Sequence, residues 1–280
     1  SSVDRRRFLA GLGLGVGTAM TVGLAPVAAR AAEHPSTRTR FTAPPFTLGV
    51  ASGDPTDRGV VLWTRLAPDP ADPGSLGDRK IAVRWRVAYD DAMHRRAASG
   101  WAWATPELAH SVHVEVDWLA PGTDYFYQFT AGGEESQIGH FRTAPDRRSD
   151  PGQLRFAVAT CQDWPSGFYT PYRDMVTQDL DMVLHLGDYT YEYGIGESVR
   201  GAAPAGFEAE TVDLLTYRLR HTLYKLDPDL QAAHAQFPFV VIWDDHEIFN
   251  NYDASSIVAD PVRAEAAYRT WFDYLPVWPI

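Results

Sequence analysis

The stretch Leu180-Asp-Met-Val-Leu-His-Leu-Gly-Asp-Tyr-Thr-Tyr191 constrains the fold more than any other. It opens as an apolar run the length of one buried strand, breaks at Gly187, and sets Asp188 and Tyr191 just past the break. Glycine allows a sharp backbone turn that a Cβ would obstruct. In open α/β sheets, ligands bind at the carboxyl ends of strands, where polar loops leave a rigid scaffold. A carboxylate and a phenol so placed can both face one hard cation. A strand followed by an ordinary polar loop fits this stretch equally well, and its neighbours decide between the two.

Two further strand ends share the design. Leu154 to Thr160 reads as a strand ending in Thr160-Cys161-Gln-Asp163, and Phe237 to Trp243 as one ending in Trp243-Asp244-Asp245-His246-Glu247. Helices are predicted over 169–179, 211–225, 229–235 and 261–274, with a Gly- and Ala-rich surface insertion over 192–210. Strands alternating with helices predict a mainly parallel sheet with helices on its faces. Parallel neighbours bring the three ends to one sheet edge, gathering a thiol, carboxylates, a phenol and an imidazole. Such a group without a cation would cost on the order of several kcal/mol in repulsion and desolvation. Thiolate and phenolate suit a strongly Lewis-acidic ion such as Fe(III), whereas carboxylate and amide positions suit Ca²⁺ or Mg²⁺. Each residue has a plainer alternative. Cys161 could be a small buried hydrophobe, and Asp244 could cap the segment after it. His185, between leucines, reads as a satisfied core residue, and His221 and His234 as surface or packing residues. Asp163 and Asn250 stay open.

Upstream, over 46–146, the pattern is short and β-like. Strand candidates are Phe46–Ser52, Gly59–Arg65, Ile81–Ala88, Ser111–Asp117, Tyr125–Phe129 and Ile138–Thr143. Pro, Asp and Gly turns separate them, which predicts a β-sandwich. Leu119-Ala-Pro-Gly-Thr-Asp-Tyr-Phe-Tyr127 resembles the tyrosine corner of fibronectin type III modules. His94, His110, His113 and His140 are scattered and read as structural. A breaker-rich boundary, Ala144 to Gly152, ends this domain. At 280 residues with 45% apolar composition the chain can bury a sizeable core, and a formal charge of −11 argues against nucleic acid as a partner.

Residues 1–32 read as a targeting segment, followed by a polar lead-in over 33–45. Arg5-Arg6-Arg7-Phe8-Leu9 precedes an uncharged run from Ala10 to Ala28, and Ala29-Arg30-Ala31 offers a cleavage site. This pattern suits twin-arginine export to the periplasm, cell wall or exterior, with no stable membrane anchor after cleavage. The apolar run is short for a spanning helix. Because that route moves folded proteins, often already loaded with metal, the signal favours a metalloprotein. A lone cysteine, Cys161, excludes an intrachain disulfide.

Four segments occur in a telling order: Cys161-Gln-Asp-Trp, Leu186-Gly-Asp-Tyr-Thr-Tyr-Glu192, Tyr217-Arg-Leu-Arg-His-Thr-Leu-Tyr224 and Trp243-Asp-Asp-His-Glu-Ile-Phe-Asn-Asn-Tyr252. Together they resemble the alkaline phosphatase D (PhoD-like) family of metallophosphoesterases across essentially the whole chain. The resemblance implies a β-sandwich followed, over 153–280, by the first part of a four-layer α/β/β/α metallophosphoesterase domain. It implies an Fe(III)/Ca²⁺ site, with Zn²⁺ or another divalent metal as the alternative. Asp188 would bridge the metals, with Cys161 and Tyr191 on Fe(III). Asp245 would hold the second cation, with Asp244 and Asn251 as further calcium candidates. His246 would face the phosphate as an acid or hydrogen-bond donor. The substrate implied is a phosphate ester, hydrolysed by metal-assisted displacement at phosphorus.

No histidine follows His246, the family is longer, and the chain starts at Ser1. The expectation is therefore a fragment, missing part of the site and inactive or poorly folded alone. A phospholipase D-like phosphodiesterase is the alternative within this chemistry. A non-catalytic extracellular binding module is the alternative outside it.

Overall fold

The computed structural model describes residues 39–150 and 152–278. The predicted targeting segment lies outside them. The first half supplies β1 (Val50–Gly53), β2 (Val60–Arg65), β3 (Ile81–Ala88), β4 (Arg96–Ala104), β5 (Ser111–Val116), β6 (Asp124–Ala131), β7 (Glu134–Glu135) and β8 (Gly139–Arg142). Strands β4-β3-β6-β7 form one sheet, with β8 on β6, and β5-β2-β1 lie opposite. Between them Val60, Leu62 and Val114 meet Val83, Val87, Tyr127 and Phe129 in a single core. At the corner entering β6, the Ala120 N–H donates to the Tyr125 hydroxyl at 2.9 Å. Strand β4 escaped the sequence reading: Arg-Ala-Ala-Ser-Gly-Trp-Ala-Trp-Ala is an edge strand, largely exposed and built of small residues.

The second half supplies β9 (Phe156–Ala159), α1 (Thr170–Met175), β10 (Met182–His185), β11 (Glu197–Ser198), β12 (Gly201–Ala202), α2 (Leu214–Lys225), α3 (Pro228–Gln236), β13 (Pro238–Val241), α4 (Ala254–Ala259) and α5 (Pro261–Tyr274). Aspartates start α2, α3, α4 and α5, where orphan N–H groups need acceptors. Asp213 caps α2 with a reciprocal bond to Thr216, Asp227 caps α3, and Asp260 precedes Pro261 at the head of α5.

Hydrogen bonding unites the halves. Strand β1 pairs in parallel with β13, Ser52 opposite Pro238, so that one sheet runs β5-β2-β1-β13-β10-β9. Strand β2 belongs both to the sandwich and to this sheet. All six of its residues are buried. Val60 and Leu62 face the sandwich core, while Trp63 packs with Leu48, Ala51 and Tyr274 on the other face. Burial on both faces replaces alternation with a continuous apolar run. His113 and His140 bond the carbonyls of Leu275 and Gln236 at 3.0 and 2.9 Å, bridging the halves, and His110 bonds that of Arg79.

Of the surface and packing alternatives for His221 and His234, packing holds: both lie deep inside, because α2 and α3 turn them toward Tyr189. His185 is buried as expected, yet neither ring nitrogen has a protein partner. The 192–210 segment is not wholly superficial either, since Glu192, Ile195 and Phe207 are buried.

Ala157, Val183, Phe239 and Val241 face the helices. On the opposite face Phe156 and Val158 of β9 are exposed, as are Leu186 and Ile242 just past the ends of β10 and β13.

Candidate metal centre

Three connections leave the carboxyl ends of β9, β10 and β13, and each turns through a conformation side chains rarely adopt. Cys161, Asp188 and Asn251 each have φ 53°, in the left-handed region. For non-glycine residues such strain persists only where the surroundings enforce it, and it concentrates at functional sites. Gly187 has φ 98°, and a Cβ there would stand 2.7 Å from the Asp244 nitrogen. Only glycine lets the β10 and β13 turns approach so closely.

Backbone and buried side chains lock the turns together. The N–H groups of Cys161 and Gln162 donate to the carbonyls of Gly187 and Asp188 at 3.2 and 3.1 Å. The Tyr224 hydroxyl accepts from the Trp164 and Tyr191 N–H groups. Glu247 accepts the Tyr189 N–H at 2.5 Å and the Asp244 N–H at 2.8 Å, one carboxylate clamping two turns. Burial pushes the Glu247 carboxyl up to about 7 against the pull of these bonds.

Asp188 is the centre of what results. Its Oδ2 accepts from the Tyr191 hydroxyl at 3.0 Å and from Cys161 Sγ at 3.4 Å. Ligand atoms of Asp188, Asp245 and His246 lie within 4.8 Å of one another. The Asn251 N–H donates to Asp245 Oδ2. Asp244 is exposed, and its side chain caps no helix among the described residues. Cys161 is exposed, which removes the reading of it as a buried hydrophobe.

Asp188 Oδ1 is buried and has no hydrogen-bond partner. An unpaired carboxylate oxygen in that position is costly, and buried polar atoms are normally satisfied. A cation fits: the Cys161 thiol and Tyr191 phenol gather at the other oxygen of the same carboxylate, and an Asp245 carboxylate oxygen lies within 4.8 Å of Asp188. Burial and the Asp188 carboxylate both push the Tyr191 phenol up, and a cation would reverse the second effect.

Glu192, the last residue of the Leu186–Glu192 motif, has no role expected from the sequence. It is buried, accepting from His246 Nδ1 at 2.8 Å and from the Asn250 N–H at 2.8 Å. Burial opposes a charged imidazole, but the Glu192 bond and the charges of Glu192, Asp188 and Asp245 outweigh it, so His246 titrates above its usual range. The Tyr191 ring stacks on it at 4.3 Å. The available signal was a carboxylate opening an otherwise Gly-rich run.

Comparison with known proteins places this geometry. A model of the PhoD-like phosphatase N-terminal domain matches residues 29–145, and a model of the PhoD-like phosphatase matches 156–280. Alkaline phosphatase D of Bacillus subtilis (strain 168) is 42% identical over 285 residues, covering 99% of this chain and 48% of the relative. A solved structure of PhoD is 45% identical with a TM-score of 0.81, covering 86% of this chain and 48% of the other. The chain thus spans about half the length of these relatives.

Proposed function

The chain belongs to the PhoD-like phosphatase family, and from that premise we propose that it carries part of the active site of an exported, metal-dependent phosphoesterase. The unpartnered Asp188 Oδ1 amid Cys161, Tyr191, Asp245 and His246 carries this reading. Cys161, Asp188 and Tyr191 would hold Fe(III). Asp245, with Asp244 and Asn251, would hold calcium. Cations there would neutralise phosphate oxygens during in-line displacement. His246, kept protonated by Glu192, donates its proton from Nε2 to the leaving oxygen. The ring cannot swing, because Tyr191 stacks on it and Glu192 holds Nδ1.

The exposed face of Phe156, Val158, Leu186 and Ile242 supports a second sheet packed there, completing an α/β/β/α arrangement. The Tyr125 corner supports a fibronectin type III-like sandwich upstream.

Metal analysis with a visible spectrum tests the site. Iron with a broad charge-transfer band is expected, shifted or lost in Tyr191→Phe and Cys161→Ala. A colourless, iron-free full-length protein would exclude Fe(III) and leave zinc or another divalent ion.

A further inference from the structure

Three consecutive residues, Tyr191, Glu192 and Tyr193, bracket the His246 imidazole. Tyr191 stacks on its face and Glu192 holds Nδ1, while Tyr193 meets the ring edge-on at 5.5 Å and 65°. The first two are occupied elsewhere. The Tyr191 hydroxyl donates to Asp188, and Glu192 also binds the Asn250 N–H. Tyr193 joins no apolar core among the described residues and is 49% exposed.

Its backbone is nonetheless fixed. The Thr211 N–H bonds the Glu192 carbonyl at 2.9 Å, and the Ile195 N–H bonds that of Glu208 at 2.8 Å. Farther along the same segment, Arg200 lies over the rings of Trp164 and Tyr169, at 4.8 and 4.6 Å, and pairs with Asp227 at 2.6 Å. A half-exposed ring on a clamped backbone is a preorganised contact surface. It stands beside the imidazole assigned to the departing oxygen, within reach of the group that oxygen carries.

We propose that Tyr193 is a specificity-determining residue whose free ring surface receives a planar aromatic leaving group of the phosphate ester. The inference rests on the phosphoesterase reading and adds the substrate class. An aromatic pair of ordinary strength, formed in the transition state, is worth about threefold to tenfold in kcat/KM. An alkyl leaving group lacks the π-face that makes this contact.

The test compares kcat/KM for phenyl phosphate and ethyl phosphate in the full-length, metal-loaded protein, in Tyr193→Ala and in Tyr193→Phe. Dividing each variant's phenyl-to-ethyl ratio by that of the wild type cancels the esters' intrinsic reactivities. Tyr193→Ala is expected to lower the ratio about threefold to tenfold, and Tyr193→Phe to hold it within about twofold, because the ring is kept. An unchanged ratio in Tyr193→Ala overturns the proposal, whether both rates fall together or neither moves. In that case Tyr193 only supports His246, or another part of the protein covers it. A metal-loaded wild type that hydrolyses neither ester overturns the phosphoesterase reading, and this proposal with it.

Discussion

His246 owes its place to residues far from it in sequence. Glu192 supplies both the acceptor that fixes the imidazole tautomer and the charge that holds the ring protonated at higher pH. Glu192→Gln removes the charge and keeps the shape, so the His246 pKa should fall. In the proposed reaction of the full-length protein, catalysis by the protonated ring is lost as pH rises through that pKa, so the alkaline limb of the kcat/KM profile should move to lower pH. His246→Ala should lose about 10²- to 10⁴-fold, the usual contribution of a positioned acid. A pH–rate profile unchanged in Glu192→Gln would remove Glu192 from this role. The strand-end position of Asp188 and Tyr191 was legible because a glycine break after an apolar run marks a strand end. Glu192 and Glu247 were not, since a buried carboxylate in a loop has no periodicity and each binds a turn more than fifty residues away.

Among the elements, helices with strong start signals were the most legible. Helix α5 runs from Pro261 to Tyr274 as predicted, since Asp260 and Pro261 fix its beginning. Helix α4, one short turn after the site loop, and edge strand β4 gave no clear pattern. The three strands that carry the site read as apolar runs without alternation, the signature of a strand buried on both faces. The structure covers one face with helices and leaves Phe156, Val158, Leu186 and Ile242 exposed on the other. A contiguous apolar face of this kind marks a surface built to be covered. The 280-residue chain should therefore bind a hydrophobic dye that reports exposed apolar surface, and Val158→Lys should weaken that binding. A protein of the relatives' full length should bind much less dye. Equal dye binding by both lengths would mean that no second layer sits on this face.

Across the whole molecule, the seam between sandwich and α/β layers buries a set of bases around Tyr189. His234 Nε2 meets the Tyr189 hydroxyl at 2.7 Å, the His185 and His221 rings lie 5.1 and 6.2 Å from the tyrosine ring, and Lys225 Nζ sits 4.3 Å over Trp63. Arg65 also lines this seam, over the Tyr274 ring at 5.1 Å, while Arg218 pairs with Asp273. Burial is the chief cause of every shift here. It pushes His185 and His221 down to about 3, His234 well below its usual range, and Lys225 down to about 7. For a base with a depressed folded pKa, the unfolded chain binds the proton first. The stabilising effect is complete above the unfolded pKa and is lost as pH falls toward the folded one. For the histidines that loss starts near 6.5 and continues toward 3, reaching about 2 kcal/mol per ring by roughly pH 5. For Lys225 it runs from 10.5 down to about 7. All four bases therefore favour the folded state at alkaline pH. Against a total stability of about 5–15 kcal/mol, the histidines alone can set the acid limit of the fold. The thermal midpoint should rise from neutral toward pH 10 and drop steeply below about pH 6, where the unfolded histidines take up protons. His221→Leu keeps an apolar filling beside Tyr189 and Tyr274 and removes one titrating ring, so its acid decline should be shallower. A wild-type midpoint flat from pH 4 to 7, or an equally steep decline in His221→Leu, would show that these rings are not what makes the fold acid-labile.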